Sequence, residues 1–286
     1  MNKISLICAT YNRSITLEQL LNSLTTQTYK NFEIIIVDQN KNGLIDYLCE
    51  YYKQYLDLIH LKSDQLGSST NRNVGIKAAS GNILGFPDDD CTYYPDTLEK
   101  VVDIFSCSSK VDLVYGRLYN RQKNQNIIRN WPNTSVEITT RFIIHYSGAP
   151  VIFTTFKSIL FDERLGINQE YGAMEDIDFC YQLFKANKNI LYTPEIQILH
   201  PEQEILTISL TKSYNYGRGW GAFFAKHFTF KILPLLIGIL GYITILFFRD
   251  VFLFRSTAKN RFYSLKGRAN GFFDYLINYK FRRNNS

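Results

Sequence analysis

Phe32-Glu33-Ile34-Ile35-Ile36-Val37-Asp38 reads as a strand of the kind buried on both faces in a parallel sheet, and it closes on an acid. Upstream, Ile4-Ser5-Leu6-Ile7-Cys8-Ala9 has the same character; Ser14 then stands at the cap of a helix whose Leu17, Leu20, Leu21 and Leu24 recur at helical spacing. Downstream come a short strand at Ile59 and Leu61, a small-residue break at Gly67-Ser68-Ser69-Thr70, and a helix from about Asn71 to Ala79. A strand at Ile83 to Phe86 then ends in three acids, Asp88, Asp89 and Asp90. Alternation of this kind predicts an α/β fold, a Rossmann-like and mostly parallel sheet flanked by helices, with ligands bound beyond the carboxyl ends of the strands.

The pattern continues with a helix over Asp96 to Phe105, a strand over Val111 to Leu118, a polar loop over Lys123 to Asn133, a strand over Gly148 to Phe156 and a helix over Ile177 to Ala186. The simplest division is one α/β domain over residues 1–225 and a helical, apolar and basic appendage over 226–286.

Composition narrows the function classes. With 286 residues, 45% of them hydrophobic and 20% charged, the chain has material for a large core, which excludes wholesale disorder, collagen and a disulfide-stapled mini-protein. Five cysteines form an odd set without a C-x-x-C pair, which argues against a zinc knuckle and for a reducing compartment. From Lys226 onward eleven Lys or Arg face two acids, a net +9, whereas the first 225 residues carry 21 basic and 24 acidic residues, a net −3. An acidic body does not suit nucleic-acid binding. The apolar run Ile4 to Ala9 is too short for a secretory signal, so export by that route is not expected.

Three consecutive carboxylates at a strand end repel one another unless a cation offsets them, and Mg²⁺ or Mn²⁺ does so with oxygen ligands. A solvated turn capping the helix at Asp96 is the plain alternative. Asp38 can accept hydrogen bonds from a nucleoside, or serve only the turn that Gln39, Asn40 and Gly43 would make anyway. Arg72 opens a helix after a small-residue loop, so amides and a guanidinium together suit a diphosphate; an exposed helical Arg is the bland reading. Gly75 in that helix points to close approach by another element. Phe161-Asp162-Glu163 and Glu175-Asp176-Ile177-Asp178 place carboxylates before an apolar helix, where capping and general-base roles both remain open.

Taken in order, Ile7 to Arg13, Ile36-Val37-Asp38, Asn71 to Ile76 with Ala79-Ser80-Gly81, Phe86 to Cys91, Phe161-Asp162-Glu163 and Glu175-Asp176 resemble the family 2 glycosyltransferases of the glycosyltransferase A (GT-A) fold. The resemblance implies that Thr10, Tyr11 and Asp38 hold the base and ribose of a nucleotide sugar, with Arg13 close by and Arg72 near the diphosphate. Asp88 and Asp90 end the family's D-x-D element and imply a Mg²⁺ or Mn²⁺ site, with Asp90 the direct ligand and Asp89 turned toward the ribose or donor sugar. Asp176 matches the acid that acts as general base on the acceptor hydroxyl, with Glu175 beside it. His200 matches a position that reaches the metal in some relatives, and is otherwise structural. Trp220 is an acceptor-stacking candidate, or ordinary packing. The Q-x-x-R-W element of processive synthases is missing, with Tyr216 to Gly221 in that region, which implies transfer of one sugar per encounter.

Ile232 to Phe248 is 17 uncharged residues, roughly 26 Å as a helix against a hydrocarbon core of roughly 30 Å. The basic and aromatic residues that follow, such as Lys259, Phe262, Tyr263 and Lys266, suit a helix lying on anionic headgroups. Attachment through residues 228–273 at the cytoplasmic face of the cell membrane, with a lipid-linked saccharide acceptor, is the resulting expectation; a helical hairpin packed on protein is the alternative. Two rival functions stand beside the transferase: a nucleotidyltransferase that makes sugar nucleotides, although Ala9 to Arg13 lacks its Gly-rich opening loop, and a non-catalytic nucleotide- or carbohydrate-binding module.

Overall fold

The two apolar runs that open the chain become neighbouring parallel strands, β1 (Ile4–Thr10) and β2 (Phe32–Asp38), in register from Ile4 opposite Phe32 to Thr10 opposite Asp38. These belong to a computed structural model that describes residues 2–108, 110–138, 148–201, 208–230 and 232–281. β2 is buried along its whole length, including Glu33, which is 2% exposed. That carboxylate accepts hydrogen bonds from Lys3 Nζ at 2.8 Å, Ser5 Oγ at 2.5 Å and the Ser80 amide and hydroxyl at 2.7 Å each. Burial opposes its charge, but these donors hold its pKa down at about 2.

Helix α1 (Ile15–Thr25) buries Leu17, Leu20, Leu21 and Leu24 as their spacing predicts. Ser14 occupies the cap position without a capping hydrogen bond from its side chain, because its backbone is already helical. After α2 (Asp46–Tyr52) and β3 (Leu58–Lys62), α3 (Ser68–Ala78) begins three residues earlier than the sequence reading placed it, and β4 (Ile83–Gly85) follows. The close approach expected at Gly75 is real: a Cβ there would lie 2.2 Å from Ile7 Cγ2 on β1, so α3 rests directly on that strand.

The remaining elements of this unit are β5 (Thr92–Tyr93), α4 (Thr97–Cys107), β6 (Leu113–Asn120), β7 (Gln125–Asn126), β8 (Val136–Glu137), β9 (Ile152–Thr154) and β10 (Ile190–Leu199). Among the described residues the ten strands form one sheet in the order β3-β2-β1-β4-β9-β6-β10-β5, with β7 on β6 and β8 on β10. β9 runs antiparallel to both β4 and β6, so β6 and its parallel partner β10 point the same way as β1. The carboxyl ends of β1, β2, β4 and β10 therefore face one side. The strand expected from Gly148 to Phe156 is shorter, since a 3₁₀ turn occupies Ala149–Val151 around Pro150, which has no amide to give a ladder. Part of the expected loop at Lys123 to Asn133 is β7, and Trp131 within it is buried, stacked on Tyr192 at 6.1 Å.

By its internal contacts the chain forms two units, Met1–Phe161 with Phe179–Gln203, and Asp162–Asp178 with Glu204–Ser286. The second unit holds the first turn of α5 (Glu175–Lys185), then α6 (Leu210–Lys226), α7 (Leu233–Phe252) and α8 (Thr257–Tyr275). α6 and α8 meet main chain to main chain. A Cβ at Gly217 would fall 2.3 Å from Ser264 O, one at Gly221 2.2 Å from Arg268 O, and one at Gly271 2.1 Å from Arg218 O. Gly219 of α6 presses in the same way on Ala173, where a Cβ would be 2.6 Å from the carbonyl oxygen. In the same unit, buried Asp178 accepts from His227 Nε2 at 2.6 Å and Lys226 Nζ at 2.8 Å, and Lys226 also reaches Asp162 at 2.8 Å. α7 is long and apolar enough to cross a membrane, and 6% of its most apolar 18-residue window is buried.

Candidate active site

Where β1 ends, Thr10 is buried and donates from Oγ1 to Asp89 Oδ2 at 2.8 Å. The chain then turns through Asn12, whose φ of 55° is a left-handed conformation that Asn tolerates, held by its amide on Asn40 Oδ1 at 2.8 Å. Beyond the turn, Arg13 donates to Asp89 Oδ1 at 2.9 Å and also binds Asp90. Thr10 and Arg13, distant in sequence from the three acids, thus fasten onto them.

The third acid is met from α3. Arg72, 5% exposed, donates from Nη2 to Asp88 Oδ1 at 2.9 Å and lies 5.4 Å over the ring of Phe161. Phe161 is fixed by Asn73, which gives to its carbonyl and accepts from its amide at 2.9 Å each, and it packs edge-on against Phe86 at 5.0 Å. Since α3 starts at Ser68, Arg72 sits one turn inside the helix and not at its opening.

His200 follows β10 and brings Nε2 to 3.2 Å from Asp90 Oδ1 and 4.0 Å from Asp88 Oδ2. Its Nδ1 lies 2.9 Å from the Pro201 carbonyl, the bond that makes Nδ1 the donor and leaves Nε2 facing the carboxylates. Burial pushes the Asp89 carboxyl up to about 6 against the pull of Arg13 and Thr10. Burial also opposes the charge on Asp90, but His200 and Arg13 outweigh it and keep that pKa below the ordinary value. Burial lowers His200, and Asp90 more than reverses this, so its pKa is raised. The cations that offset the acid triplet here are the chain's own.

These residues fit a divalent ion. One ligand atom each from Asp88, Asp90 and His200 lie within 4.8 Å of one another, two hard oxygens and one imidazole nitrogen. A second group, Asp38, Asp46 and His60, is comparably close, but the Lys62 ammonium bridges Asp38, at 2.8 Å, and Asp46, and so stands where a cation would.

Asp38 is fully buried and also accepts from the Asn40 amide at 2.8 Å and side chain at 2.7 Å, with His60 Nε2 at 3.0 Å. Burial opposes its charge, yet Lys62, Asn40 and His60 together keep it below the usual carboxylate range. His60 and Lys62 escaped the sequence reading. They alternate along β3, in register with Ile36 and Asp38, so two polar residues two apart on a strand beside an acid-ended strand were the available signal. Tyr11 is 40% exposed at the same strand end.

Thr10, Arg13, Arg72, Asp88, Asp89, Asp90 and His200 are therefore in one cluster, with Asp38 beside Thr10 across the β1–β2 ladder. Glu175, Asp176 and Trp220 belong to the second unit. Asp176 is half-buried and takes the Ile177 amide at 2.8 Å. Trp220 stacks on Phe224 at 5.9 Å, the packing its glycine neighbours allow.

Comparison with known proteins gives the family and the fold. An uncharacterized glycosyltransferase of Haemophilus influenzae is 30% identical over 202 residues, 66% of this chain and 67% of that protein. Other curated relatives are matched over less of their length, 39% and 25% for two of them, so the chain spans only part of those proteins. In fold, it is similar to Staphylococcus aureus TarS 1-349 in complex with UDP (TM-score 0.58, 20% identity, 97% of this chain and 91% of that one). It is also similar to the mannosyltransferase PcManGT of Pyrobaculum calidifontis in complex with GDP-Man and Mn²⁺ (TM-score 0.64, 14% identity, 96% and 88%). The model of glycosyl transferase family 2 matches residues 5–166, and the chain belongs to that family.

Proposed function

We propose that this glycosyltransferase moves one sugar from a nucleoside-diphosphate sugar, a UDP-sugar before others, to a hydroxyl of a lipid-linked saccharide in surface polysaccharide or glycolipid synthesis. The observation that carries the reading is the gathering of Arg13, Arg72, His200 and the acid triplet at the carboxyl ends of β1, β4 and β10. The UDP complex of a fold neighbour favours uridine, and the GDP-Man complex of another makes guanosine the next base to try.

In this reading Thr10, Tyr11 and Asp38 seat the nucleoside, with the Asp38 carboxylate accepting from the base or ribose, and Asp89 faces the ribose or donor sugar. Arg72, held by Asp88 and the Phe161 ring, is aimed at the diphosphate and stabilises the charge that grows on it as the bond to the anomeric carbon breaks. Asp176 takes the proton of the attacking acceptor hydroxyl, with Glu175 and Trp220 contacting the acceptor, and a single displacement inverts the anomeric centre. Asp88, Asp90 and His200 would hold Mn²⁺ or Mg²⁺, which supplies Lewis-acid neutralisation of the leaving diphosphate. The imidazole in that set favours Mn²⁺.

Attachment to the cytoplasmic face of the cell membrane through residues 228–273 completes the proposal, with residues 1–225 as the catalytic domain. Its support is the exposed apolar surface of Phe228, Phe230, Ile237, Ile245, Phe248 and Phe252 beside a strongly basic tail.

Asp176→Asn should keep donor binding and lose roughly 10²–10⁴-fold in transfer. Undiminished transfer would remove Asp176 from the mechanism. Donor hydrolysis across a panel of sugar nucleotides with Mg²⁺ or Mn²⁺ tests base and sugar. Deleting residues 228–286 should abolish flotation with vesicles, and unchanged flotation would end the attachment argument.

A further inference from the structure

Arg268 on α8 is 8% exposed, yet among the described residues its guanidinium meets no carboxylate. Its hydrogen bonds are both from Nη1, to the carbonyl oxygen and hydroxyl of Ser264 one turn back on its own helix. Among the described residues Nε is buried with no hydrogen-bond partner. The ring of Trp220 on α6 lies 5.5 Å from the guanidinium carbon. Asp274 on α8 and Asp250 on α7 are engaged elsewhere, Asp274 by Arg218 at 3.2 Å and Asp250 by Arg249 and Arg261 at 2.8 and 2.5 Å. Burial alone lowers the Arg268 pKa, to about 10, with no acid acting against it.

A desolvated cation without a counter-charge is strongly unfavourable, and other buried charges of this chain, Glu33 and Asp178 among them, are paired. An anion supplied from outside resolves the imbalance, and a phosphate oxygen matches the guanidinium fork. From Thr257 to Arg268, α8 carries Lys259, Arg261, Lys266 and Arg268 and no acid, which draws an anion toward the same helix. Elsewhere on their surfaces α7 and α8 expose Ile245, Phe248, Phe262, Tyr263 and Phe273, apolar side chains of the kind a lipid boundary requires. We propose that Arg268, with Ser264 and Trp220, forms a seat for a membrane-borne phosphate, either an anionic headgroup or the phosphate that joins a saccharide acceptor to its lipid. The proposal rests on the membrane attachment argued above.

The full-length protein is tested first in solution. Inorganic phosphate, against chloride at equal ionic strength, should raise the wild-type Tm by about 3 °C near saturation. Arg268→Gln should lose most of that rise, and Lys266→Gln, the same charge change on an exposed residue of the helix, should keep it. An equal rise in Arg268→Gln, or none in the wild type, overturns the seat. If Arg268→Gln does not fold, Arg268→Lys is read instead, with a reduced rise expected and an unchanged one refuting. The source is then assigned by flotation with phosphatidylcholine vesicles containing either phosphatidylglycerol or a polyprenyl phosphate. Loss by Arg268→Gln on one kind names it; unchanged flotation on both overturns a membrane-borne ligand. A wild type that floats with neither fails the attachment reading, a result separable from the seat by the solution arm.

Discussion

Gly75→Ala puts the contact between α3 and β1 to a quantitative test. The new methyl would start 2.2 Å from Ile7 Cγ2 and 3.3 Å from Ile7 Cβ and Cγ1, and Ile7 is fully buried in a strand. Carbon atoms settle at about 3.5–4.0 Å, so helix or strand must retreat by roughly 1.3 Å or more. Overpacking of this kind costs about 1–3 kcal/mol, against a gain of up to about 1 kcal/mol from replacing a helical glycine. A net loss of about 1–2 kcal/mol, or roughly 2–8 °C in Tm, is expected by calorimetry or urea denaturation. The same retreat would open the 2.9 Å Arg72–Asp88 bond, so donor affinity by titration calorimetry should fall as well. Ile7→Val keeps Cγ2 and should not relieve the clash. Ile7→Ala removes it, and the double variant should be more stable than the sum of the single losses by about 1 kcal/mol. A Gly75→Ala protein as stable as wild type, with unaltered donor affinity, would refute the argument.

Other expectations follow from the charged groups. Glu33 is held at about 2 in the fold against an ordinary value near 4.5, so the stability it contributes is complete above about 4.5 and is lost as pH falls through 2. Glu33→Gln should cost about 1–3 kcal/mol at pH 7, with the gap to wild type narrowing by pH 3; a gap independent of pH would contradict this. His200→Ala should raise the Mn²⁺ concentration needed for half-maximal activity roughly tenfold or more, and equal metal dependence would exclude His200 from the site. Chelation should abolish transfer, and Mn²⁺ should restore it more fully than Mg²⁺. Asp38→Ala should weaken UDP binding without altering the metal dependence, as calorimetric titration with and without Mn²⁺ will show.

The parallel core was legible because a strand covered on both faces must be mostly apolar, and β1 and β2 are, Ser5 and Glu33 and their polar last residues apart. The acid triplet was legible as a place needing positive charge because three carboxylates in a row repel one another, and Arg13, Arg72 and His200 lie against them. Gly75 was legible for a related reason, being costly in a helix unless something lies against it. What stayed hidden depends on partners distant in sequence. Glu33 interrupts an apolar run without breaking the strand, since Lys3, Ser5 and Ser80 satisfy it. Arg13 read as a bystander to the nucleotide until the turn at Asn12 joined it to Asp89 and Asp90. The start of α3 was misplaced because Ser68, Ser69 and Thr70 look like loop residues and are tolerated in a first turn. Nor did local pattern reveal that Asp162–Asp178 associates with the chain beyond Glu204, since no periodicity encodes contacts across that separation.

The glycine-lined meeting of α6 and α8 has a mechanical corollary. Helices faced with side chains absorb small shifts by changing rotamers, but where Gly217, Gly221 and Gly271 lie against backbone there is nothing compressible between the two axes. Gly219 extends the same stiff contact to Ala173, two residues ahead of Glu175. If the membrane attachment proposed above holds, a tilt imposed on α8 is handed on toward Asp176 instead of being damped. With Asp176 as the proposed base, bilayer thickness would then act on the catalytic step, and swapping one acyl-chain length for another should change turnover while nucleotide affinity holds still.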